Sequence, residues 1–330
     1  MKLSIDIGNG YVKAVGESGE TLHFPTVLKE KREKTLFTSN SNYQIRINGK
    51  EYFIGDIAIS KKGVRSWRND KSMNADTEKY VALCCHVLSS PDAQFQPEQV
   101  DLSLGIPYSY YIDQGDAPEI VSNLKNKTFE TVFDGNTKNF IIESVTLYPQ
   151  GVGAYFYNIL DIDGTPKKGA KDLIRALVID IGYRTVDVVA FDNINGGFEL
   201  IQEDSFSLEE SGIINIVNHI VRLLSVEVQL DANEVERWLL AGNGIVQYEG
   251  GDLNIKQFEN EAYQELADKI STSVNTKLSS EIKKYKNIFI TGGGAKTLYP
   301  LLKATYKNAQ LQEEYIYGNA KGYLAIENSD

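Results

Sequence analysis

"LSIDIGNGYVKAV", residues 3–15, sets an aspartate inside an apolar run and follows it at once with Gly8-Asn9-Gly10. Leu3, Ile5 and Ile7 alternate with Ser4 and Asp6, which is strand periodicity. Glycine accepts positive φ, so the chain can reverse there into a second strand, Tyr11 to Val15. A hairpin accounts for the glycines but not for Asp6. An unpaired polar group in an apolar run costs on the order of 2–7 kcal/mol, so either a local turn or a ligand must explain the carboxylate.

The pattern returns as "LVIDIGYRTVDVV", residues 177–189, with Leu, Ile, Asp, Ile, Gly, Val and Val recurring in register and without a gap. The first copy leads through Glu17-Ser18-Gly19-Glu20 to a third strand, Thr21 to Phe24. The second leads through Asn193-Ile194-Asn195-Gly196-Gly197 to Phe198–Glu203. A strand–turn–strand–turn–strand unit therefore occurs twice, which implies two related halves. Glycine turns let backbone N–H groups approach phosphate oxygens closely. A carboxylate beside phosphates is repelled unless a cation stands between them. Asp6 and Asp180 thus imply Mg²⁺, held through its water shell because it dehydrates reluctantly. Lys13, just past the first turn, can reach back to the phosphates as a point charge. Its counterpart is Asp187, so the halves share a scaffold but not every role.

With these two stretches the sequence resembles the actin, heat-shock chaperone and sugar-kinase ATPase superfamily, whose members carry five motifs in fixed order. "IDIGNGYVKAV" resembles the first phosphate motif and "VIDIGYRTVDVVAF" the second. "IFITGGGAKTLYPLLK" (288–303) resembles the adenosine motif, "VTLYPQGVGAYFYN" (145–158) the first connecting helix and "YGNAKGYLAIE" (317–327) the second. Within the superfamily it is most similar to the ParM-like plasmid-segregation actins and their archaeal relatives. The resemblance implies an α/β, actin-like (ribonuclease H-like) fold, two related domains around a nucleotide cleft. Domain I would take residues 1–160 plus 310–330, with a polar subdomain at about 25–80, and domain II residues 161–309. It also implies ATP with Mg²⁺ as ligands. Gly8, Asn9, Gly10, Lys13, Gly182, Tyr183, Arg184 and Thr185 would hold the phosphates, and Gly292, Gly293 and Gly294 would lie against ribose and α-phosphate. Asp6 and Asp180 would hold the metal through water, and Gln150 would position the attacking water. Many relatives carry Glu at that place. Gln orients water but takes no proton, so hydrolysis is expected to be slow.

Between Phe24 and Trp67, "NYQIRINGKEYFIG" reads as a hairpin turning at Asn48-Gly49, where actins carry a subdomain used in subunit contacts. "KEKREK" (29–34) reads as a solvated loop, "DGTPKKGAK" (163–171) as a hinge, and "EESGIINIVNHIVRLLSV" (209–226) as a helix capped at Ser211-Gly212. His23, His86 and His219 have no partner spacing and read as structural. Cys84 and Cys85 are the only cysteines; being adjacent, they suit neither a disulfide framework nor a metal site, and read as buried thiols. The amino terminus does not read as a signal peptide, and no apolar run approaches the ~20 residues of a membrane span. A cytoplasmic protein without membrane contact is expected. The net charge of −11 opposes direct DNA binding and calls for a basic adaptor.

The leading functional expectation is a nucleotide-dependent, filament-forming ATPase in plasmid or DNA segregation, its principal partner being itself, with GTP open as a substitute for ATP. The alternatives are a non-polymerising scaffold ATPase and a small-molecule kinase of the same superfamily. A kinase needs a carboxylate base beside a substrate hydroxyl, and the zinc motif of one sugar-kinase group cannot be built from two adjacent cysteines.

Overall fold

A computed structural model describes residues 1–31, 44–65, 74–94, 96–113, 117–170, 173, 175–194, 197–224, 232–242 and 244–329. Residues 32–34 of "KEKREK", Trp67, and the ends of the 163–171 and 209–226 segments lie outside them. The chain forms two units, residues 1–173 with 316–330, and residues 174–315.

The first unit is built on a ten-stranded sheet. Its strands are β1 (Lys2–Ile7), β2 (Tyr11–Gly16), β3 (Thr21–Pro25), β4 (Val27–Glu30), β5 (Gln44–Ile47), β6 (Lys50–Ile54), β7 (Val64–Arg65), β8 (Glu98–Ile106), β9 (Thr128–Phe133) and β10 (Asn136–Pro149). They lie in the order β3-β2-β1-β8-β10-β9-β5-β6-β4-β7. Its helices are α1 (Asp56–Ser60), α2 (Asn74–Leu88), α3 (Tyr108–Ile112), α4 (Ala117–Leu124) and α5 (Val152–Ile159). The C-terminal helix Gly318–Ser329 completes the unit.

β1 pairs antiparallel with β2 and parallel with β8. A central strand is covered on both faces, so Ser4 and Asp6 are buried as fully as Leu3, Ile5 and Ile7. Each of those apolar side chains contributes about 1.5–3 kcal/mol on burial, which offsets part of the cost of burying Asp6. Asn48 (φ 46°) and Gly49 (φ 82°) make the expected turn, with Ile47 facing Lys50 across it. Cys84 and Cys85 are free and wholly buried on α2, and burial pushes both thiols up.

The second unit carries β11 (Arg175–Ile181), β12 (Val186–Ile194), β13 (Gly197–Leu200), β14 (Phe206–Leu208), β15 (Ile245–Tyr248), β16 (Gly251–Asn254), β17 (Asn287–Thr291) and β18 (Ala309–Leu311). Its main sheet runs β13-β12-β11-β17-β18, with β14 on β12, and β15-β16 form a separate hairpin. The helices are α6 (Ile214–Leu224), α7 (Ala232–Ala241), α8 (Lys256–Leu278) and α9 (Ala295–Thr305), so that Gly318–Ser329 is α10. The order β3-β2-β1-β8-β10 in the first unit and β13-β12-β11-β17-β18 in the second is one plan. Two antiparallel pairings are followed by two parallel ones in each.

Three local readings shift. Residues 145–149 extend β10, and the helix begins only at Val152, because Gly151 (φ 88°) breaks the strand. The third strand of the second repeat stops at Leu200, and Gln202–Asp204 form a single 3₁₀ turn. The Ser211 hydroxyl does not cap α6; it donates to Glu209 O at 3.1 Å, and the helix start is secured through its backbone instead. Among the described residues no helix is long and apolar enough to cross a membrane.

Candidate functional site

Each unit presents a glycine turn at the end of its first strand. Gly8 N–H donates to Tyr11 O at 3.0 Å, and Gly182 N–H donates to Thr185 O at 3.0 Å. A Cβ on either glycine would stand 3.0 Å from that same carbonyl, a contact tight enough that the carbonyl would have to give by a few tenths of an ångström.

Both turns are held from behind through their carbonyls. In the first unit Thr26 Oγ1 donates to Gly8 O at 2.6 Å. Gly10 O accepts from Thr26 N–H at 2.9 Å and from Arg65 Nη1 at 2.7 Å. In the second, Gly182 O accepts from Ile213 N–H at 3.1 Å, and Arg184 O accepts from Ser211 and Gly212 N–H at 3.0 and 2.9 Å. A trans peptide turns its N–H opposite its C=O, so the held Gly8 carbonyl leaves the Asn9 amide facing the other way. The N–H groups of Asn9 and Gly10 have no partner among the described residues. Gly10 is nevertheless buried, and an orphan amide there suits an anion.

The two aspartates stand in different company. Asp6 is 3% exposed; its Oδ2 lies 3.0 Å from Lys13 Nζ, and its Oδ1 accepts from Gln150 Nε2 at 2.7 Å. The carboxylate that the sequence assigned to a cation is therefore compensated by the lysine across the hairpin, and its burial needs no metal. Lys13 Nζ also lies 3.1 Å from the place a Cβ on Gly8 would take, so it stands beneath the turn while bonded to Asp6. Asp180 is also buried, and the residue facing it in the β11–β12 register is Asp187, 2% exposed. Asp187 accepts from the hydroxyls of Thr185 and Ser207.

The glycine-rich stretch 292–294 meets Asp180 within the second unit. Asp180 Oδ1 is 2.2 Å from where a Cβ on Gly292 would be, and Gly292 has φ 89°. Gly292 and Gly294 N–H are taken by Tyr315 O and Ile181 O at 2.8 and 2.9 Å. Gly293 is exposed, with nothing within 4 Å of its Cβ position. Beyond it α9 starts without a side-chain cap, which leaves first-turn amides for an anion. Tyr183 and Thr185 turn their hydroxyls inward, to Glu236 at 3.0 Å and Asp187 at 3.2 Å. Arg184 contributes the carbonyl already described.

Gln150 sits between β10 and α5, 8% exposed, its N–H on Ile106 O at 2.7 Å. Just beyond it, Asn319 Oδ1 on α10 accepts from Gly151 and Ala154 N–H at 3.0 and 3.1 Å and so caps α5. The two helices touch where a Cβ on Gly322 would meet Gly153 O at 1.7 Å. His23 faces Lys13 across β2–β3 and stacks on Tyr11 with ring centroids 4.6 Å apart. Lost hydration there and, second, the charge of Lys13 hold its pKa at about 4. It is uncharged at neutral pH, in keeping with a structural role.

Sequence reading missed Thr26, Arg65 and Asn319. Each acts on residues 16 or more positions away along the chain; Asn319 lies within the quoted stretch 317–327, but nothing local marks its role or those of Thr26 and Arg65. Among the described residues no three His, Cys, Asp or Glu side chains gather as a metal cluster.

Residues 4–153 match the family model "Actin like proteins N terminal domain", and residues 178–304 match "Archaeal actin homologue MreB-like, C-terminal". No curated protein sequence matches the chain. Among solved structures it is similar to the subunit of a 15-stranded ParM filament from Clostridium botulinum, with 28% identity and a TM-score of 0.82 over 98% of this chain and 97% of that one. A non-polymerisable quadruple mutant of pCBH ParM gives 24% identity and 0.83 over 100% and 99%. The archaeal actin homologue Ta0583 gives 17% and 0.82 over 100% and 99%, and it has also been solved in complex with ADP. One actin-like family model covers most of the first unit and another most of the second, and solved relatives match from end to end: the chain belongs to the actin-like superfamily.

Proposed function

We propose that this chain is a nucleotide-dependent ATPase that assembles into filaments of its own subunits. The observation that carries the reading is the repeated hairpin. In each unit a turn opened by a glycine, with its carbonyls tied back, stands at the end of a strand bearing a buried aspartate. That arrangement suits phosphate oxygens twice over. The ADP complex of one structural neighbour and the filament formed by another support the ligand and the assembly.

In this reading Asn9 and Gly10 offer amides to phosphate from the first turn, and Gly182, Tyr183, Arg184 and Thr185 form the second. Gly292–Gly294 and the start of α9 take the nucleoside end. Domain I is the first unit and domain II the second. Mg²⁺, when bound, would offset charge between the phosphates and the carboxylates. Asp180, facing a second carboxylate in register instead of a lysine, is the residue taken to hold it, through water since no full ligand set gathers among the described residues. Gln150, tied to Asp6, orients the attacking water but cannot act as a base, so hydrolysis is slow.

The role is in plasmid or DNA segregation in the cytoplasm, with a basic adaptor between filament and DNA. At −11 net charge the purified protein is expected not to retard DNA at physiological salt without such an adaptor. Tight, steeply salt-dependent binding of the protein alone would contradict the indirect route. The assembly is tested by light scattering after adding Mg·ATP, with Mg·GTP in parallel. A rise followed by decay as phosphate is released supports a dynamic filament. Hydrolysis without scattering would point to a non-polymerising scaffold or a small-molecule kinase.

A further inference from the structure

Arg65 lies on β7, a two-residue strand that pairs with β4 through Val27, and no motif of the sequence singles it out. Its guanidinium nevertheless reaches 55 residues back along the chain to donate to Gly10 O at 2.7 Å. That carbonyl also accepts Thr26 N–H at 2.9 Å, while the Thr26 hydroxyl takes Gly8 O at 2.6 Å. Two carbonyls of the first turn are thus held by three donors, all from the segment Thr26–Arg65.

The second unit shows what these bonds are for. Its turn has the same two carbonyls held, Gly182 O and Arg184 O, in the positions of Gly8 O and Gly10 O. There the donors are the amides of Ser211, Gly212 and Ile213 leading into α6, with no side chain involved. The chain is packed so closely at that point that a Cβ on Gly212 would lie 2.4 Å from the carbonyl carbon of Tyr183. A helix start rigidly backs the second turn. In the first unit one side chain on a short strand does part of the same job.

We infer that Arg65 is a positioning residue of the first turn. It fixes the plane of the Gly10–Tyr11 peptide while the Thr26 hydroxyl fixes that of Gly8–Asn9, so the Asn9–Gly10 peptide spans two held planes and the amides of Asn9 and Gly10 stay in one array, set in advance for the phosphate group of the nucleotide. The same bond ties the turn to the strands β4 to β7, so that the turn's geometry depends on that part of the sheet. The assignment rests on the nucleotide reading above. Gly10 O keeps Thr26 N–H when the guanidinium is removed, so the turn stays closed while one of the two restraints on that carbonyl is lost.

The test is Mg·ATP affinity, from titration with a fluorescent ATP analogue, for wild type, Arg65→Ala and Arg65→Lys, each beside a thermal melt of the nucleotide-free protein. Arg46→Ala serves as control; it removes an exposed ion pair with Glu51 in the same part of the sheet and touches no turn. Losing a charge-assisted hydrogen bond that orients the binding amides should weaken affinity about tenfold or more in Arg65→Ala. Arg65→Lys should recover part of the loss, the control should bind as wild type, and the nucleotide-free melts should coincide. Arg65→Ala binding within twofold of wild type would overturn the assignment. Equal losses in the Ala and Lys variants with a lowered melt would overturn it in favour of a purely structural contact. If wild type itself fails to bind Mg·ATP, the nucleotide reading falls first and this inference with it.

Discussion

The hairpins β1–β2 and β11–β12 are built alike and charged differently. Both lie at the centre of the same five-strand order, close with the same glycine bond and bury an aspartate at the same register. Opposite Asp6 stands Lys13, 3.0 Å away; opposite Asp180 stands Asp187. The first hairpin is neutral within itself. The second gathers two buried carboxylates and eases one of them with the Thr185 and Ser207 hydroxyls. A duplicated scaffold has kept its backbone devices and let the facing side chain diverge. The difference shows that the residue facing the buried aspartate in register is a lysine in one hairpin and a second carboxylate in the other.

The largest expected effect comes from breaking the neutral pair. Lys13→Met leaves Asp6 buried without its cation and should cost about 3–5 kcal/mol of stability. Asp187→Asn, at the equivalent place, keeps an oxygen for the Thr185 and Ser207 hydroxyls and leaves no buried charge without its cation, so it should cost less than Lys13→Met. Urea denaturation of both variants reads the contrast, and equal losses would abolish it.

Acid dependence is set in the first unit and is shared by wild type and both variants. His86, 4% exposed with Nδ1 2.7 Å from Thr131 Oγ1, has its pKa held at about 4 by burial and, second, by Lys138. The unfolded chain takes up that proton first, so the contribution is whole above pH 6.5 and is lost as pH falls toward 4. It amounts to at most about 3 kcal/mol. Denaturation midpoints measured across that window should fall in wild type and fall less steeply in His86→Gln.

Catalytic effects follow. Gln150→Ala should lower phosphate release by roughly tenfold to a thousandfold, as expected for one positioning group, while ATP binding and assembly continue. Filaments should then persist, and the scattering trace should rise without its later decay. Failure to assemble at all would make Gln150 structural. Asp180→Asn should slow hydrolysis at least tenfold, about 1.4 kcal/mol of barrier, with nucleotide still bound. Turnover at the wild-type rate would reduce the second hairpin to a fold element.

The repeat was legible because the residues that recur, Leu, Ile, Asp, Ile, Gly and the paired valines, are those a central strand and a tight turn require. The limits of the units were harder to read. "DGTPKKGAK" has the composition of a hinge, yet Lys167 Nζ bonds Tyr157 O at 2.6 Å and Asn328 Nδ2 bonds Ile162 O at 2.7 Å. Such contacts keep this segment with the first unit, which runs to residue 173 and not to 160. At the other end the second unit reaches residue 315, beyond the expected 309. Gln312 bonds Thr291 Oγ1 and Tyr315 O bonds Gly292 N–H. The charge difference between the hairpins was visible as Lys13 against Asp187. The partner that Lys13 takes was not, because strand register and not sequence spacing brings it to Asp6. The ties from Thr26 and Arg65 were hidden for the same reason: they depend on how β3, β4 and β7 return to the turn.

If Asp180 holds Mg²⁺ as proposed, the second hairpin, unlike the first, should need a divalent cation to accept the nucleotide phosphates. Calorimetric titration of ATP into wild-type protein, once with Mg²⁺ and once with EDTA, tests it most directly, with Asp187→Lys titrated in the same way to copy the first hairpin's pair into the second. The account predicts that wild type loses at least about tenfold in affinity without Mg²⁺ and that the variant loses little. Equal wild-type affinities in the two buffers, or an undiminished Mg²⁺ dependence in Asp187→Lys, would contradict it.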